Sequence, residues 1–142
     1  MHHNFYGITQ NLETKNYMVV LNDICKKCNY ICNAIHFQRN FDNWTSGNND
    51  IDKFIQDAQL SVHGQFDLVK ALEWIPYGKL YDIKYIVEGE FGKVYRAKWI
   101  DGNISSWNRY NQNWKRHNKN IIVDLISLNN PTNITLEFMN EV

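Results

Sequence analysis

The sequence predicts an α+β chain, with a helical leader over 1–75 and a second part over 76–142 that holds three antiparallel strands and the start of a helix. Three observations support this fold class: helical apolar spacing before residue 76, strand-like alternation after it, and a glycine-containing turn between two alternating runs. The chain has 15 basic and 15 acidic residues, and 44% of its residues are hydrophobic. This composition predicts a packed core and no general attraction to nucleic acid or anionic lipid.

Helical patterns dominate the leader. The run 17–21 is short and apolar, so it suits either a strand or part of a helix. Apolar positions over 24–41 recur mostly at three- and four-residue steps, which is typical of a helical face. A second stripe predicts a helix over 51–60, with Asp50 as its N-cap because a carboxylate can accept from the free N–H groups of the first turn. A further short helix is predicted over 67–74.

After residue 76 the pattern changes to strands. Apolar and polar residues alternate over 81–87 and again over 94–100, which indicates two half-buried strands. The β-branched run 121–128 predicts a third strand. The polar segment 103–120 is predicted to be a long surface loop, and 135–142 the start of a helix.

The segment 86–94 (IVEGEFGKV) carries the clearest chemical signal, because two glycines lie between two predicted strands. A glycine-rich hairpin lets backbone N–H groups approach a triphosphate, where a Cβ atom would collide with it. A plain hairpin can also need glycines for its own backbone geometry. The residues alone leave both interpretations open.

The segment 89–97 (GEFGKVYRA) resembles the nucleotide loop of protein kinases, and the element order over 76–142 resembles the N-terminal lobe of the tyrosine-kinase-like Ser/Thr group in a lineage-expanded fungal set. Residues 37–48 (FQRNFDNWTSGN) are similar to a leader found in the same set. Gly89 and Gly92 match the second and third glycines of the family loop, and Val87 stands at the first. The resemblance implies an ATP site with these contacts: Ile86, Val87, Gly89, Phe91, Gly92 and Val94.

The same comparison shows departures from the family pattern. In kinases the third strand carries Val-Ala-x-Lys, and its lysine holds the α- and β-phosphates. Here Ile126 stands at the lysine position and Asp124 at the alanine position, while Glu141 matches the ion-pairing glutamate of the following helix. The chain also stops before a catalytic loop or an Asp-Phe-Gly segment could occur. We therefore expect a truncated, pseudokinase-like chain with ATP binding that is weak or absent, no assigned catalytic residue and no phosphotransfer.

The Cys-x-x-Cys pair in the leader is a second candidate site. Cys25 and Cys28 could hold one side of a zinc ion, with Cys32 and His36 as further ligands. These four residues lie within twelve positions, and at helical spacing they would form one stripe that bends poorly around a tetrahedral ion. Buried structural cysteines are the favoured interpretation, so zinc is not expected and no metal site is assigned.

The alternative function is a non-catalytic module that binds another protein, or a gene fragment without an independent role. Self-association is expected because an incomplete lobe exposes apolar surface. The interleaved aromatic and basic residues over 107–117 are predicted to lie on a solvated loop rather than to bind nucleic acid. An odd count of three cysteines, with neither a signal-like nor a membrane-spanning run, predicts a cytoplasmic location.

Overall fold

The computed structural model describes residues 3–25, 32–64, 68 and 71–128. Within these residues the fold is mostly β, with seven strands in three antiparallel sheets and two α-helices. The elements are β1 (His3–Gln10), β2 (Tyr17–Cys25), α1 (Asn33–Gln38), α2 (Asn49–Leu60), β3 (Leu80–Glu88), β4 (Gly92–Trp99), β5 (Asn103–Asn108), β6 (Asn113–His117) and β7 (Ile121–Leu128).

The first of two compact units consists of 1–44 and 56–72. Its sheet is the two-stranded hairpin β1–β2. The Asn11 side chain shapes the turn between the strands, because its Oδ1 accepts hydrogen bonds from the backbone N–H groups of Glu13 and Thr14. The buried side chains of this unit come mainly from α1 with its N-cap and from the chain after α2, and include Cys32, Phe37, Val62 and Leu68.

The second unit consists of 45–55 and 73–142. It contains a three-stranded sheet in the order β3-β4-β7 and a separate hairpin, β5–β6. The central strand β4 pairs with β7 without a register shift along its whole length. Ala97 of β4 is only 1% exposed, so one face of this sheet is covered there.

The predicted fold class, an α+β chain with a helical leader and a partial kinase N-lobe, is wrong. The leader begins with the hairpin β1–β2, and the run 17–21 belongs to a strand of that hairpin. The helical face predicted over 24–41 is reduced to the six residues of α1 in the described part of this segment, and β2 extends to Cys25. The pairing of β1 with β2 determines the structure of this region, and the local pattern of apolar residues does not reveal such pairing.

The three strands predicted after residue 76 are confirmed, but the loop predicted between the second and third is wrong. The segment 103–120 contains the hairpin β5–β6, whose strands are rich in Asn, Ser, Lys and Arg. Among the residue pairs that face each other across these two strands, only Trp107 and Trp114 are both large and apolar. Their rings pack edge-to-face with centroids 4.8 Å apart. Pairing of two aromatic side chains stabilises this otherwise polar hairpin.

The helix predicted over 51–60 is confirmed as α2, although its cap differs from the prediction. Asn48 is the capping residue, because its Oδ1 accepts from the backbone N–H groups of Asp50 and Ile51. Of the helix predicted over 67–74, residues 67, 69 and 70 lie outside the described residues, Leu68 has a 3-10 helical conformation, and 71–74 is not helical. The helix start predicted over 135–142 also lies outside them.

None of the helices in the described ranges is long and apolar enough to cross a membrane.

Candidate functional site

The glycine segment predicted as an ATP loop forms the tight hairpin that joins β3 to β4. The backbone N–H of Gly89 donates to the carbonyl oxygen of Gly92 across this hairpin, at 2.7 Å. The N–H of Gly89 is therefore hydrogen-bonded within the hairpin and does not point toward a phosphate. Glu88 and Lys93 form the last registered pair before the turn.

The hairpin itself favours glycine at both positions. A Cβ atom on Gly89 would lie 3.1 Å from Val94 Cγ2 and 3.2 Å from the carbonyl oxygen of Gly92. Gly92 has a φ of 149°, a conformation that side-chain-bearing residues rarely adopt. The requirements of a plain hairpin thus account for both residues without a ligand.

Three apolar side chains share one face of the sheet next to the hairpin. Val87, Val94 and Ile126 are direct partners across the three strands. Val87 is 51% exposed and Ile126 is 46% exposed, so solvent reaches this face. Phe91 at the tip of the hairpin and Ile86 at the register shift in β3 are also exposed. The six residues predicted to contact ATP are therefore close together in sequence and at one end of the sheet.

The charges on this face are arranged in opposite-charge pairs. Arg96 and Asp124 are partners in register, and the Arg96 Nε lies 3.5 Å from the Asp124 carboxylate. Asp124 stands at the position that is alanine in the kinase pattern, and it is neutralised by this exposed ion pair. Lys84 and Lys98 both lie near the carboxylate of Asp82, at 3.6 and 3.7 Å. These cations are thus paired with carboxylates of the protein.

Among the described residues of the zinc candidate, Cys32 contacts His63 and not the histidine considered in the sequence analysis. Cys32 is buried at the N-cap of α1, and its Sγ lies 3.5 Å from Nδ1 of His63. His36, which the sequence analysis considered as a possible fourth ligand, is also buried. The side chain of Cys25 and all of Cys28 lie outside the described residues, and within the described ones no group of three or more potential ligands lies together.

The β1–β2 hairpin exposes an apolar surface that the sequence analysis does not single out. Its strand segments 5–10 and 17–21 contain no charged residue. Apolar side chains are exposed on both faces of the hairpin. Some of them, such as Ile8 and Val19, are direct cross-strand partners, and others lie at neighbouring positions. We call the following residues the hairpin surface: Phe5, Tyr6, Ile8, Tyr17, Met18, Val19 and Val20, each at least 42% exposed.

The basic and aromatic segment 107–117 is held in place by a part-buried ion pair. Two nitrogens of Arg116 donate to the two carboxylate oxygens of Glu73, at 3.0 and 2.6 Å. Nη1 also donates to the Gly102 carbonyl oxygen at 2.9 Å, and the guanidinium lies over the Trp99 ring. Desolvation lowers the pKa of Arg116, but the hydrogen bonds and charge of Glu73 outweigh this and raise it. Arg116 thus has a structural role in the second unit.

No protein-family model, curated protein or solved structure matches this chain.

Proposed function

We propose that this chain is a non-catalytic protein-interaction module that associates with a second copy of itself through the hairpin surface. The observation that carries the proposal is the exposure of apolar side chains on both faces of β1–β2, from 42% for Val20 to 78% for Tyr17. Contiguous exposed apolar surface of this kind marks interaction sites in soluble proteins.

The two-stranded hairpin would gain stability from a partner strand. An isolated two-stranded sheet is only marginally stable in water, whereas three or more strands with an apolar face are independently stable. Its outer strand edges carry N–H and C=O groups that can pair with another strand. A second hairpin added at one edge would produce a four-stranded sheet and cover apolar side chains of both copies.

A second copy suits this surface because identical uncharged strands do not repel each other. Neither strand segment of the hairpin carries a charge, and the whole chain has a formal net charge of zero. Edge strands that avoid association usually carry lysine or proline, and both are missing from 5–10 and 17–21.

Size-exclusion chromatography with light scattering tests this proposal over a wide range of protein concentration. The wild-type chain should be dimeric. The Val19→Lys variant, which places a charge opposite Ile8, should be monomeric and should keep the far-UV circular dichroism spectrum of the wild type. Tyr110→Lys is the matched control, because Tyr110 is 99% exposed but lies in the second unit. A wild-type monomer at all concentrations, or a dimer that survives Val19→Lys, would overturn the proposal.

The second candidate function is weak ATP binding without phosphotransfer, at the glycine hairpin. It is favoured by the shared face of Val87, Val94 and Ile126, which could pack on a base as the resemblance implies. The hydrogen bond from Gly89 to Gly92 and the carboxylate of Asp124 both oppose tight phosphate binding. The segment 120–142 contains no lysine that could hold the α- and β-phosphates, so this candidate function includes no phosphotransfer.

A thermal-shift titration with millimolar ATP separates the two candidates. Binding at the hairpin should raise the melting temperature of the wild type, by mass action, and Val87→Asp should abolish the rise. Ile122→Asp is the control, since Ile122 is 60% exposed in register with Lys98, away from the glycine turn. An unchanged melting temperature in the wild type would remove the ATP hypothesis and leave the self-association proposal intact. In both cases we propose a cytoplasmic location.

A further inference from the structure

We infer that a groove in the second unit binds a small ligand that carries two or more phosphate groups. The groove has a volume of about 640 Å³ and is open to solvent, and ligand pockets in proteins typically enclose about 300–1,000 Å³. Its lining includes four cationic side chains and a single carboxylate: Lys79, Lys115, Arg116 and Lys119, and Asp101. All of the lining residues belong to the second unit, so the groove forms within one compact body.

The groove has positive charge beyond the ion pairs of the protein itself. Two of the four cations are paired with carboxylates: Arg116 with Glu73, and Lys79 with Asp101. Lys115 and Lys119 are exposed, and neither has a carboxylate partner among the described residues. Lysines that line a groove without a carboxylate partner attract anions from solution.

The sequence concentrates basic residues at this place. The segment 102–123 contains four lysine and arginine residues and no aspartate or glutamate. The cations on the exposed face of the larger sheet are instead paired with aspartates: Lys84 and Lys98 with Asp82, and Arg96 with Asp124. A nucleic acid strand needs a positive track across the surface, whereas a small phosphate ligand needs only the groove, so the charge distribution favours the small ligand.

Backbone hydrogen bonds fix two of the segments that carry the cations. The N–H of Ile100 donates to the carbonyl oxygen of Lys79 at 2.9 Å, and the N–H of Asn120 donates to the carbonyl oxygen of Ile100 at 3.2 Å. The segment before β3 and the turn between β6 and β7, which includes Lys119, are therefore both attached to residue 100. Because their backbone positions are set before a ligand binds, the entropy cost of binding is reduced.

Two asparagine side chains add neutral donors to the lining. The Oδ1 of Asn108 accepts from the backbone N–H groups of Tyr110 and Asn111, and the Oδ1 of Asn113 accepts from the N–H of Trp114. With each oxygen engaged in the β5–β6 hairpin, the Nδ2 group of each side chain is left to donate to a ligand. Phosphate oxygens only accept hydrogen bonds, so ammonium and amide donors suit them.

The groove is separate from the glycine hairpin. Lys79 precedes β3 and Asp101 follows β4, whereas the glycine hairpin joins the other ends of these two strands. The length of β4, at about 3.3 Å per residue, places about 25 Å between the two places. Binding in the groove is therefore independent of ATP binding at the glycine hairpin and of self-association through the hairpin surface.

An NMR titration of the full chain with tripolyphosphate at low ionic strength tests this site. Tripolyphosphate has no base that could pack on Val87, Val94 and Ile126. Amides of 113–119 should shift along one saturation curve, those of 88–93 should not, and added salt should weaken binding because exposed charges are screened. Unchanged spectra at millimolar tripolyphosphate, or shifts confined to the glycine hairpin, would overturn the inference.

Loss of single lysines locates the binding site. Lys115→Gln and Lys119→Gln should each weaken tripolyphosphate binding about fivefold, the effect of removing one exposed charge about 4 Å from an anion. Lys84→Gln is the matched control, because Lys84 is exposed in the same unit but does not line the groove, and it should leave the dissociation constant unchanged. Equal weakening in all three variants would indicate general charge attraction and contradict the site.

Asp101→Asn gives a test of opposite sign. It removes the single carboxylate in the lining and releases Lys79, so binding should become tighter. Asp124→Asn changes the net charge equally but outside the groove, and it should have no effect. Equal tightening in both variants would contradict the site.

A single-stranded oligothymidylate distinguishes a nucleic acid strand from a small ligand. It should shift the same amides as tripolyphosphate, with a similar dissociation constant. Tighter binding, together with amide shifts that extend outside the groove, would identify a strand-binding surface and overturn the assignment to a small ligand.

Discussion

At the scale of single residues, Arg116 and Arg96 show how burial determines the contribution of an ion pair to stability. Arg116 makes two short bonds to Glu73 with both side chains below 25% exposure, while Arg96 makes one 3.5 Å contact with Asp124 at more than 50% exposure. A bidentate guanidinium–carboxylate pair that is partly removed from water is held in a fixed geometry, whereas an exposed pair is screened.

Lysine at these two positions should therefore have different effects. Arg116→Lys keeps the charge but loses the bidentate geometry and the bond to Gly102, so it should lower the free energy of unfolding by about 1–2 kcal/mol. Arg96→Lys, the matched control, should change it by less than about 0.5 kcal/mol. Urea denaturation measures both values, and equal losses would contradict the role assigned to Glu73.

Asp52 is a second residue whose environment predicts a measurable property. Its carboxylate accepts from the hydroxyl groups of Ser46 and Thr45 and from the Ser46 backbone N–H, and these bonds lower its pKa. The folded pKa is thus below the unfolded one, so its contribution to stability is present above the ordinary aspartate pKa of about 3.9 and is lost as the pH falls through the lower folded value.

The Ser46 amide reports this titration directly. Its NMR chemical shift should follow the pH with a midpoint below the ordinary aspartate value, and Asp52→Asn should remove the transition. A midpoint at or above the ordinary value would show that the three hydrogen bonds do not favour the ionised carboxylate.

At the scale of secondary structure, local patterns predict α2 and the three strands of the larger sheet, since their apolar spacing follows the period of the element. The hairpin β5–β6 is missed because its strands are polar and its stability depends on Trp107 contacting Trp114 across the turn. For the candidate site, the position of the glycine hairpin is predictable, but the Gly89 bond that closes it is not. The approach of His63 to Cys32 depends on tertiary structure that residue spacing does not encode.

The turn between β4 and β5 gives a prediction for an element boundary. Gly102 has a φ of 69°, and a Cβ atom there would collide with the His117 carbonyl group. Gly102→Ala should destabilise the second unit by more than about 2 kcal/mol, from backbone strain and overpacking together. Gly78→Ala is the control, because nothing lies within 4 Å of its added Cβ, and its unfolding free energy should stay within about 0.5 kcal/mol of wild type.

At the scale of the whole molecule, the described secondary structure is divided among small sheets of two or three strands. Stability should therefore be uneven along the chain, highest in β4, which has a partner on each side, and lowest in β1–β2 when it has no second copy.

Hydrogen exchange at two protein concentrations measures this distribution. Amides of β4 should be protected at both concentrations, and those of β1–β2 should become protected only at the concentration that favours the dimer. Val19→Lys should leave the hairpin unprotected throughout. Slow exchange of the hairpin at high dilution would contradict both the uneven stability and the need for a second copy.

The pairing of β4 with β7 also determines an order of assembly during synthesis. The β3–β4 hairpin can form as soon as it leaves the ribosome, but β4 must wait for β7 before its second edge is satisfied. Trp99 and Ile121, which lie on either side of β5–β6, are direct partners. Early formation of β5–β6 therefore shortens the loop between β4 and β7 and reduces the entropy cost of closing it.

Substitutions that weaken the Trp107–Trp114 contact should slow refolding more than they accelerate unfolding, and stopped-flow measurements give both rates. This result would mean that the β5–β6 hairpin forms before β7 pairs with β4.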